Sequence, residues 1–534
     1  MTAKVRPERE STRAAEIIAA ACLATDLGMG FPFEHGLQGT LMAMRLAELL
    51  DVDSETESRT YFASLLMYAG CTTDADVGVR IFGGSRTENL TPAQFGSRVK
   101  SLAGVIRALP PPGALPHRRV YEAARRIVPA ARFLKPHFAS LCEVAEMMAK
   151  RLGLPPAVHN LFAFLTERWD GKGVLKRAEG EGIPLPVRIV HVARDAAYQR
   201  FLGGEDHAVE VIRRRAGHAF DPDIAGRFVE ESPEIMSAAE PPGSAWEAIL
   251  AAEPRPHLTL EHEGVDRALA AIGDFADLLS PHFSGHSSGV AELADAAARR
   301  VGFGPSEVAL VRRAGLVHDV GRVAIHPRVW QKPASLTVDE WEQVRLHPYH
   351  TERVLLRSAL LASLADVACA HHERLGGKGY HRRLSAASLT PAARLLAAAD
   401  AFQAMCQPRP FRGQLTPEEA TVRLAEEVRA GGLDSEMVAV VIEAAGQPRP
   451  RVDRPAGLTE REAEVLGLLA GGLQTKQVAR GLGISVKTAD HHVQSAYRKI
   501  GVSTRAGATL FAMEHGLLPR PGLVEPRSLA ESSG

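Results

Sequence analysis

Residues 316–322 read Leu-Val-His-Asp-Val-Gly-Arg, two apolar residues followed by an imidazole and a carboxylate. His286 lies 32 residues before His318, and apolar residues follow it at the 3/4 spacing of a helix through Val301. This spacing predicts a helix over 286–301. The next predicted helix carries Leu310, Ala314, Val317, His318 and Gly321 on one face. Two histidines should therefore point inward from neighbouring helices.

More histidines and a second acid follow along the chain. A single inward histidine is usually a satisfied core residue, but the full set contains five imidazoles and two carboxylates: His286, His318, Asp319, His347, His371, His372 and Asp400. Burying so many polar groups without a shared partner is costly, and one or two metal ions would satisfy them together. Mixed nitrogen and oxygen donors favour Fe, Mn or Zn over Mg or Ca.

The order of these residues, over about residues 265–445, resembles the HD superfamily of metal-dependent phosphohydrolases, and within it the HD-GYP branch. The matching stretches include His318-Asp319-Val320-Gly321, His371-His372-Glu373 and Gly379-Tyr380. The resemblance implies a first metal site of His286, His318, Asp319 and Asp400. It implies a second site of Asp319, His347, His371 and His372. Two divalent ions in these sites would activate water against a phosphodiester.

The family's characteristic substrate is cyclic di-GMP, and the resemblance also assigns residues to it. Arg409 and Arg412 match the family's basic pair that contacts phosphate and guanine. A solvated turn is the alternative interpretation of these two arginines. Asp319 and Arg322 are expected in catalysis, and Gly379, Tyr380 and His381 form the expected substrate loop, which is called the substrate loop below.

Three positions depart from the family pattern. Arg322 stands where the family has lysine, so a rigid fork replaces a point charge. Gly376 stands where the family has aspartate, and His381 where it has proline. The last two changes fall in the loop associated with substrate choice, so they leave the metal site in place but question cyclic di-GMP as the substrate.

An internal repeat precedes this region. Met67-Tyr68 follows His35 by 32 residues, as His318-Asp319 follows His286. Further on, Thr166 and Arg194 stand where the second copy has His372 and Asp400. The first copy therefore resembles a degenerate HD domain with an insertion of about 45 residues. It predicts no metal site there, and packing, dimerisation, signal binding or a purely structural role remain open.

The C-terminal residues change character. Thr459-x-x-Glu462 predicts a capping box, and Ser485 predicts the cap of a helix whose buried face is Val486, Ala489, Val493, Ala496 and Ile500. Between residues 476 and 505 there are six basic residues and one acidic residue. The pattern from Leu458 to Arg505 resembles the LuxR-type helix-turn-helix, which implies a recognition helix in the major groove of double-stranded DNA.

This resemblance gives the DNA contacts. Lys476, Lys487, Thr488 and Lys499 are candidate phosphate contacts, and Asp490, His491 and Gln494 are candidate base readers. Arg498 lies on the same outer face. The last helix, with Ala508, Phe511 and Ala512, is the expected dimer face, so we expect a homodimer.

Composition sets the class. The chain has 534 residues, 45% hydrophobic and 5% aromatic, with 63 basic and 63 acidic side chains. We expect an all-α protein of two tandem HD-type helical domains and a small four-helix helix-turn-helix domain. The predicted divisions are a degenerate HD-like domain at 20–235, a linker at 236–260, the HD-GYP-like domain at 261–446, a linker at 447–456, the helix-turn-helix at 457–518 and a flexible tail at 519–534.

No membrane span or signal peptide is recognised, and the five scattered cysteines suit the cytoplasm.

These patterns lead to one expected function with an alternative. The expected function is a DNA-binding transcription regulator coupled to a metal-dependent phosphohydrolase that acts on a cyclic dinucleotide or a related phosphodiester. The alternative is a non-catalytic sensor that binds metal and nucleotide and controls transcription. A third possibility is an enzyme that the DNA-binding domain merely localises.

Overall fold

The computed structural model describes residues 12–70, 116–448, 455–470, 473–502, 504–515 and 517. The predicted tail at 519–534 lies outside these described residues. The described residues are predominantly helical, which confirms the all-α prediction. They form two compact units, residues 1–449 and 450–534, and each is described by itself. None of the described helices has the length and apolarity that a bilayer span requires.

The first copy is built from helices that surround the central α2. Its helices are α1 Ala14–Met29, α2 His35–Leu49, α3 Ser54–Leu65, α4 Pro116–Arg151, α5 Pro156–His159, α6 Leu185–Gly203, α7 Glu205–Arg215, α8 Pro222–Glu230, α9 Ser232–Ala238 and α10 Ala245–Ala251. Short 3-10 helices lie at Asn160–Phe164 and Gly180–Gly182. Helix α2 packs against α3 and α6, and the predicted linker at 236–260 contains α10, whose Trp246 and Ile249 are buried in the core.

The second copy repeats this arrangement around α12. Its helices are α11 His262–Asp277, α12 His286–Val301, α13 Pro305–Val317, α14 Pro327–Trp330, α15 Val338–Arg345, α16 His347–Leu355, α17 Ala359–Ala368, α18 Pro391–Met405, α19 Pro417–Arg429 and α20 Ser435–Ala444. Short 3-10 helices lie at Pro281–Phe283, Val320–Ala324 and Ala386–Ser388. The predicted helix over 286–301 is confirmed, and α12 packs against α13, α18 and α20.

One hydrophobic core runs through both copies. Helix α1 is buried along almost its whole length, and it contacts α2 of its own copy as well as the 3-10 helix Val320–Ala324 of the second copy. A two-residue antiparallel pair, β1 Thr12–Arg13 with β2 Thr259–Leu260, ties the start of α1 to the start of the second copy. The first copy therefore packs, through α1, against the segment that follows the His318–Asp319 pair.

The two copies share the contacts that fasten their helices together. In the first copy Asp26 accepts a hydrogen bond from the Gly36 amide at 3.0 Å. In the second copy Asp277 accepts one from the Ser287 amide at 2.9 Å. Each pair joins the helix before the first histidine to the helix that begins with that histidine. The sequence repeat is therefore also a repeat of three-dimensional contacts.

A buried ion pair repeats in the same way. Arg188 on α6 binds Asp221 with 2.6 Å between Nη1 and Oδ2, and Asp221 also caps α8. Arg394 on α18 binds Asp434 with 3.1 Å between the same atoms, and Asp434 caps α20. These pairs fix the helix that carries Asp400 in one copy and Arg194 in the other.

The C-terminal unit holds four helices around a small apolar core. They are α21 Glu460–Ala470, α22 Thr475–Gly481, α23 Val486–Ile500 and α24 Arg505–Glu514, with a short 3-10 segment at Pro455–Gly457. Thr459 and Glu462 form the predicted capping box through both of their hydrogen bonds. Ser485 caps α23 as predicted, by accepting the Thr488 amide at 3.0 Å. Within the predicted buried face of α23, Val486 is instead 46% exposed, because it occupies the first turn beyond the core.

Candidate metal centre and DNA-binding helix

The structure brings the seven predicted metal ligands together. Two groups form, each with donor atoms within 4.8 Å of one another: His286, His318, Asp319 and Asp400 in one, and His347, His371 and His372 in the other. Only the His372 side chain retains notable exposure, at 19%. Residues that are far apart in the sequence therefore meet in one buried polar cluster.

Asp319 belongs to the first group and also faces the second, with one oxygen toward the histidines of each. Its Oδ2 lies 2.9 Å from His318 Nε2 and 3.3 Å from His286 Nε2. Its Oδ1 lies 3.3 Å from His347 Nε2 and 3.4 Å from His371 Nε2. A carboxylate in this position can contribute one oxygen to each of two cations.

Asp400 completes the first group from α18. Its Oδ1 lies 3.1 Å from His286 Nε2, and its Oδ2 lies 4.0 Å from His372 Nδ1. The two carboxylates therefore each face imidazole nitrogens of both groups.

Three histidines are oriented by carbonyl groups one turn earlier in the chain. Nδ1 of His318, His347 and His371 lies 2.7, 2.6 and 2.7 Å from the carbonyl oxygens of Gly315, Val344 and Ala368. A carbonyl can only accept, so Nδ1–H donates and Nε2 keeps its lone pair for the cluster interior. This is the tautomer that metal-binding histidines need.

The fourth histidine is oriented by a residue that the sequence analysis missed. Nδ1 of His286 lies 2.9 Å from the side-chain oxygen of Gln407. The donation from His286 directs Nε2 toward Asp400, as the backbone contacts do for the other rings. Nothing in the local sequence around Gln407 signals this long-range partner.

The His-Asp pair follows a helix end rather than lying within a helix. Helix α13 ends at Val317, so the prediction that Gly321 continues its face is wrong. A side chain at Gly321 would place its Cβ 2.1 Å from the carbonyl oxygen of His347, so only glycine permits this close approach. Thr351 locks the crossing, since its hydroxyl donates to the His318 carbonyl and accepts the Gly321 amide, both at 3.0 Å.

The electrostatics of the cluster favour a cation. Burial opposes ionisation of Asp319 and Asp400, yet the pKa of both carboxyls lies well below the usual range. Arg322, His318 and His286 lower the pKa of Asp319, and the surrounding histidines lower that of Asp400. Burial would lower the pKa of His318, but the two carboxylates outweigh it and raise that pKa well above its usual value. Burial lowers the pKa of His347 to about 4, which keeps this ring neutral. The two ionised acids therefore stabilise positive charge between them, either a proton on His318 or a bound cation.

Buried polar atoms without hydrogen bonds also indicate a site for a cation. His318 Nε2 and both carboxylate oxygens of Asp319 are buried and form no hydrogen bond of good geometry. Polar atoms are rarely buried in this state unless a bound group completes them. The donor set therefore fits a metal centre of the mixed imidazole–carboxylate type.

Arg322 lies at the edge of the cluster and is 5% exposed. Its Nη2 is 2.6 Å from Asp319 Oδ2, and its guanidinium lies 4.5 Å from the ring centre of Phe283 and 5.6 Å from that of Trp330. Its Nε and Nη1 are buried and form no hydrogen bond. Two donor atoms of Arg322 next to Asp319 are therefore available for hydrogen bonds to a ligand.

The two remaining predicted arginines differ from each other. Arg409 donates to the His282 carbonyl at 2.6 Å and lies 5.2 Å from the Phe283 ring centre, on the ring that Arg322 also contacts. Arg412 donates to backbone carbonyls of Ala404, Met405, Gln407 and Gly413. Its guanidinium therefore fastens the end of α18 and the following turn, and its predicted ligand contact stays a prediction.

The substrate loop lies against the second group of histidines. The Tyr380 ring centre is 4.6 Å from that of His372 and 6.2 Å from that of His347. Gly379 passes so close to Glu373 that a Cβ there would lie 2.4 Å from the Glu373 Cα. On one side of the loop opens a cleft of about 400 Å³ that Gly379, Tyr380 and His381 help to line.

The first copy fills the equivalent space with other side chains. Gly70 approaches the Leu141 carbonyl as Gly321 approaches the His347 carbonyl, which identifies Leu141 as the counterpart of His347. This counterpart is not apparent from the pattern of the sequence. Arg194 is buried with its guanidinium 5.6 Å from the Tyr68 ring centre. Within the described part of this copy, no group of potential metal ligands comparable to that of the second copy occurs.

In the C-terminal unit, α23 presents a polar outer face. The predicted contacts on α23 and the preceding α22 are all exposed: Lys476, Lys487, Thr488, Asp490, His491, Gln494, Arg498 and Lys499. The Thr488 hydroxyl is partly engaged, at 2.7 Å from the Ser485 hydroxyl. A face of this kind is compatible with insertion into the major groove.

Two predictions for this unit concern residues that make contacts within the unit itself. The Lys499 ammonium binds Glu462 at 2.6 Å and the Gly457 carbonyl at 3.0 Å, so it is occupied within the unit. Ala508 and Ala512 are 1% and 0% exposed, because α24 packs them into the unit's own core. The prediction that these alanines present a dimer face is therefore wrong.

Comparison with protein families identifies both domain types. The HD domain family matches residues 271–437, and the family of bacterial regulatory proteins of the luxR type matches residues 456–512. The chain thus carries an HD domain and a LuxR-type helix-turn-helix domain, as the sequence predicted.

Individual relatives extend the match across the tandem arrangement. The chain is 27% identical over 436 residues to the 3'3'-cGAMP-specific phosphodiesterase 3 of Vibrio cholerae, which covers 80% of this chain and 93% of that protein. It is 35% identical over 142 residues to a cyclic di-GMP phosphodiesterase of Pseudomonas aeruginosa, covering 26% of this chain and 34% of that protein. The crystal structure of a cyclic GMP-AMP-specific phosphodiesterase of V. cholerae superimposes with a TM-score of 0.56 at 23% identity, over 82% of this chain and 98% of that chain. This last similarity establishes a shared fold.

Proposed function

We propose that this chain, an HD domain followed by a LuxR-type regulatory domain, is a DNA-binding transcription regulator whose HD domain hydrolyses a cyclic dinucleotide. The observation that carries the proposal is the position of Asp319, with one carboxylate oxygen toward each of two groups of imidazoles. A purely structural polar cluster has no need of a carboxylate shared in this way.

The proposed cofactors are two divalent transition-metal ions of the Fe, Mn or Zn class. The residues that would hold the first are His286, His318, Asp319 and Asp400. The residues that would hold the second are Asp319, His347, His371 and His372. When bound, such a pair of ions supplies activated water and polarises a phosphoryl oxygen.

Side chains around the cluster are suited to bind and orient a phosphodiester. Arg322 has two buried donors without hydrogen bonds, and a guanidinium fork matches two phosphate oxygens. Phe283 and Trp330 pack against its guanidinium and keep bulk water from it, which strengthens its interaction with an anion. Arg409 adds a second positive charge, because its guanidinium also lies over the Phe283 ring that Arg322 contacts.

The proposed substrate class follows from the relatives. The long relative is named for 3'3'-cGAMP and the shorter one for cyclic di-GMP, so 3'3'-linked cyclic dinucleotides are the class to test first. The alternative of a non-catalytic sensor is favoured by the replacements at Gly376 and His381. Turnover therefore has to be separated from binding.

The decisive experiment is a hydrolysis assay with Mn²⁺, Fe²⁺ or Zn²⁺ added to metal-depleted protein. We expect 3'3'-cGAMP or cyclic di-GMP to be converted to a linear product, and His318→Asn to lose that conversion. Tight nucleotide binding without any linear product would support the sensor instead. Absence of both binding and turnover would reject both proposals.

The proposed output is binding to double-stranded DNA through α23, by a homodimer in the cytoplasm. Lys487 is exposed and near the start of this helix, where phosphate contacts are expected. Lys487→Ala should weaken DNA binding across sequences and reduce the slope of log affinity against log salt by about one. Lys499→Ala is the matched comparison, because its ammonium is held by Glu462. An unchanged salt slope for Lys487→Ala would remove it from the phosphate contacts.

A further inference from the structure

Two carboxylates bind the substrate loop and the residues that follow it. One binds backbone amides, and the other binds side chains. Glu373 is buried and accepts the backbone amides of Arg382 at 2.8 Å and Leu384 at 2.9 Å. Glu352 binds side chains of the loop instead. Its Oε2 accepts from His381 Nε2 at 3.2 Å, and its Oε1 forms an ion pair with Arg382. These contacts of Glu352 with His381 and Arg382 are called the clasp below.

Glu352 connects this loop to the metal cluster. It lies on α16, the helix that begins with His347, one residue after Thr351, which locks the His318–Gly321 crossing. The Glu352 side chain is 14% exposed and that of His381 is 15% exposed. Because the contact is largely shielded from water, it is stronger than a surface ion pair.

His381 depends on this contact for its orientation. Its other ring nitrogen, Nδ1, is buried and makes no hydrogen bond. The bond to Glu352 is thus the hydrogen bond that fixes the ring. His381 directly follows Tyr380, whose ring packs on His372, and both residues line the cleft beside the loop.

The first copy offers an internal comparison. The correspondence of Leu141 with His347 makes Glu146 the counterpart of Glu352. Tyr380, His381 and Arg382 correspond to Val174, Leu175 and Lys176. Glu146 pairs instead with Lys150 on its own helix at 2.6 Å. The clasp therefore occurs in the copy that has the metal cluster and is replaced by an ordinary helix-surface pair in the other.

From these observations we propose that Glu352 is a positioning residue for the proposed reaction: through His381 and Arg382 it holds Tyr380 and the cleft wall in the conformation that binds the nucleotide. His381 stands where the family pattern has proline, and it supplies the side-chain hydrogen bond to Glu352. Proline would stiffen the loop without a partner, whereas His381 makes the loop depend on Glu352. This inference rests on the proposed hydrolysis of a cyclic dinucleotide.

The test compares Glu352→Gln with Glu146→Gln, its counterpart in the other copy. For Glu352→Gln we expect KM for 3'3'-cGAMP to rise about tenfold, the equivalent of one charge-assisted hydrogen bond, with kcat changed less than about twofold. Metal content should stay at the parental value. Glu146→Gln should leave KM, kcat and metal content unchanged. An unchanged KM in Glu352→Gln, or an equal change in both variants, would overturn the proposal.

A second measurement does not depend on turnover. Limited digestion of the native full-length protein with trypsin reports opening of the loop at Arg382 and Arg383. Glu352→Gln and His381→Ala should each accelerate cleavage there about tenfold, as loss of a comparable stabilisation predicts, and Glu146→Gln should not. If the parent neither binds nor hydrolyses cyclic dinucleotides, the proposed function fails, while the digestion still decides whether Glu352 holds the loop. Equal digestion of parent and Glu352→Gln would reject the clasp itself.

Discussion

The two helical copies share the contacts that hold their helices together and differ in the residues that those contacts surround. Asp26 and Asp277 tie equivalent helices together, and the pairs Arg188–Asp221 and Arg394–Asp434 fix equivalent helix ends. The scaffold therefore does not require a metal centre, because it is maintained in the copy whose ligand positions hold other residues.

The two copies differ in how the polar side chains buried at equivalent positions are stabilised. The second copy brings two carboxylates and five imidazoles together and leaves several of their atoms without hydrogen bonds. The first copy buries Arg194 against the Tyr68 ring, and Phe31 packs 4.5 Å from the ring of His35. The donor atoms of the second copy are thus suited to cations from solution, whereas the first copy places the guanidinium of Arg194 at the position of Asp400.

The largest expected effect is the loss of the shared carboxylate. Asp319→Ala should lower hydrolysis by at least about a hundredfold and reduce bound metal, since it removes a donor from both groups of ligands. The counterpart variant in the first copy, Tyr68→Ala, should retain the parental metal content and activity. Metal content by elemental analysis and initial rates are the measurements. Full phosphodiesterase activity in Asp319→Ala would mean that the site is assigned to the wrong residues.

The stability of the protein should depend on pH through His35, the first-copy counterpart of His286. His286 Nε2 faces Asp400, whereas His35 Nε2 is buried without a hydrogen bond. Burial, with added repulsion from Arg200, lowers the pKa of His35 to about 4. The unfolded chain takes up a proton near pH 6.5 and the folded protein does so only near pH 4. Stability should therefore be complete above about pH 6.5 and fall by about 3 kcal/mol between these values.

Urea unfolding at about pH 7 and about pH 5, on either side of the ordinary histidine pKa, measures this contribution. His35→Asn should lose less stability between the two pH values than the parent does. His218→Asn, at an exposed histidine of the same copy, should behave as the parent does. Identical pH dependence in His35→Asn and the parent would show that His35 is not buried as a neutral ring.

A smaller effect is expected at the two glycines that permit the helix crossings. A Cβ at Gly70 would lie 2.2 Å from the Leu141 carbonyl oxygen, and one at Gly321 would lie 2.1 Å from that of His347. Alanine at either position should destabilise the protein by about 1–3 kcal/mol, the usual cost of forcing extra volume into a packed interior. Only Gly321→Ala should also lower metal affinity, because it displaces His347. Metal loss in both variants would mean that the first copy contributes to the centre.

The sequence was sufficient for the periodic and local features of this comparison. The helix at 286–301, the capping box of Thr459 and Glu462 and the cap at Ser485 each depend on neighbours within four residues, so their patterns are visible in the sequence. The ordered series of histidines and acids was also visible, because a shared chemistry explains it better than chance does.

The errors and omissions share a different cause. Gly321 does not continue α13, since the chain turns there to pass the His347 carbonyl, a contact between distant segments. Gln407 and Glu352 were missed because each contacts a residue that no local pattern connects to it. Leu141 was missed because its correspondence with His347 depends on the approach of Gly70 to its carbonyl. The alanines of α24 repeat at a spacing that suits an interface between chains or a core within one, and only the packing of α21 and α24 distinguishes the two.

The smallest expected effect tests whether the His-Asp pair alone makes a centre. The double variant Met67→His/Tyr68→Asp restores that pair in the first copy and places a carboxylate near the Arg194 guanidinium. We expect no additional bound metal, because the new carboxylate would pair with Arg194, and Leu141, Leu165 and Thr166 still offer no imidazole. Elemental analysis of the folded variant, with circular dichroism as the check on folding, measures this. A gain of one metal ion per chain would show that the first copy lost its centre through the His-Asp pair alone, and the contrast between the copies would then rest on that pair instead of the whole ligand set.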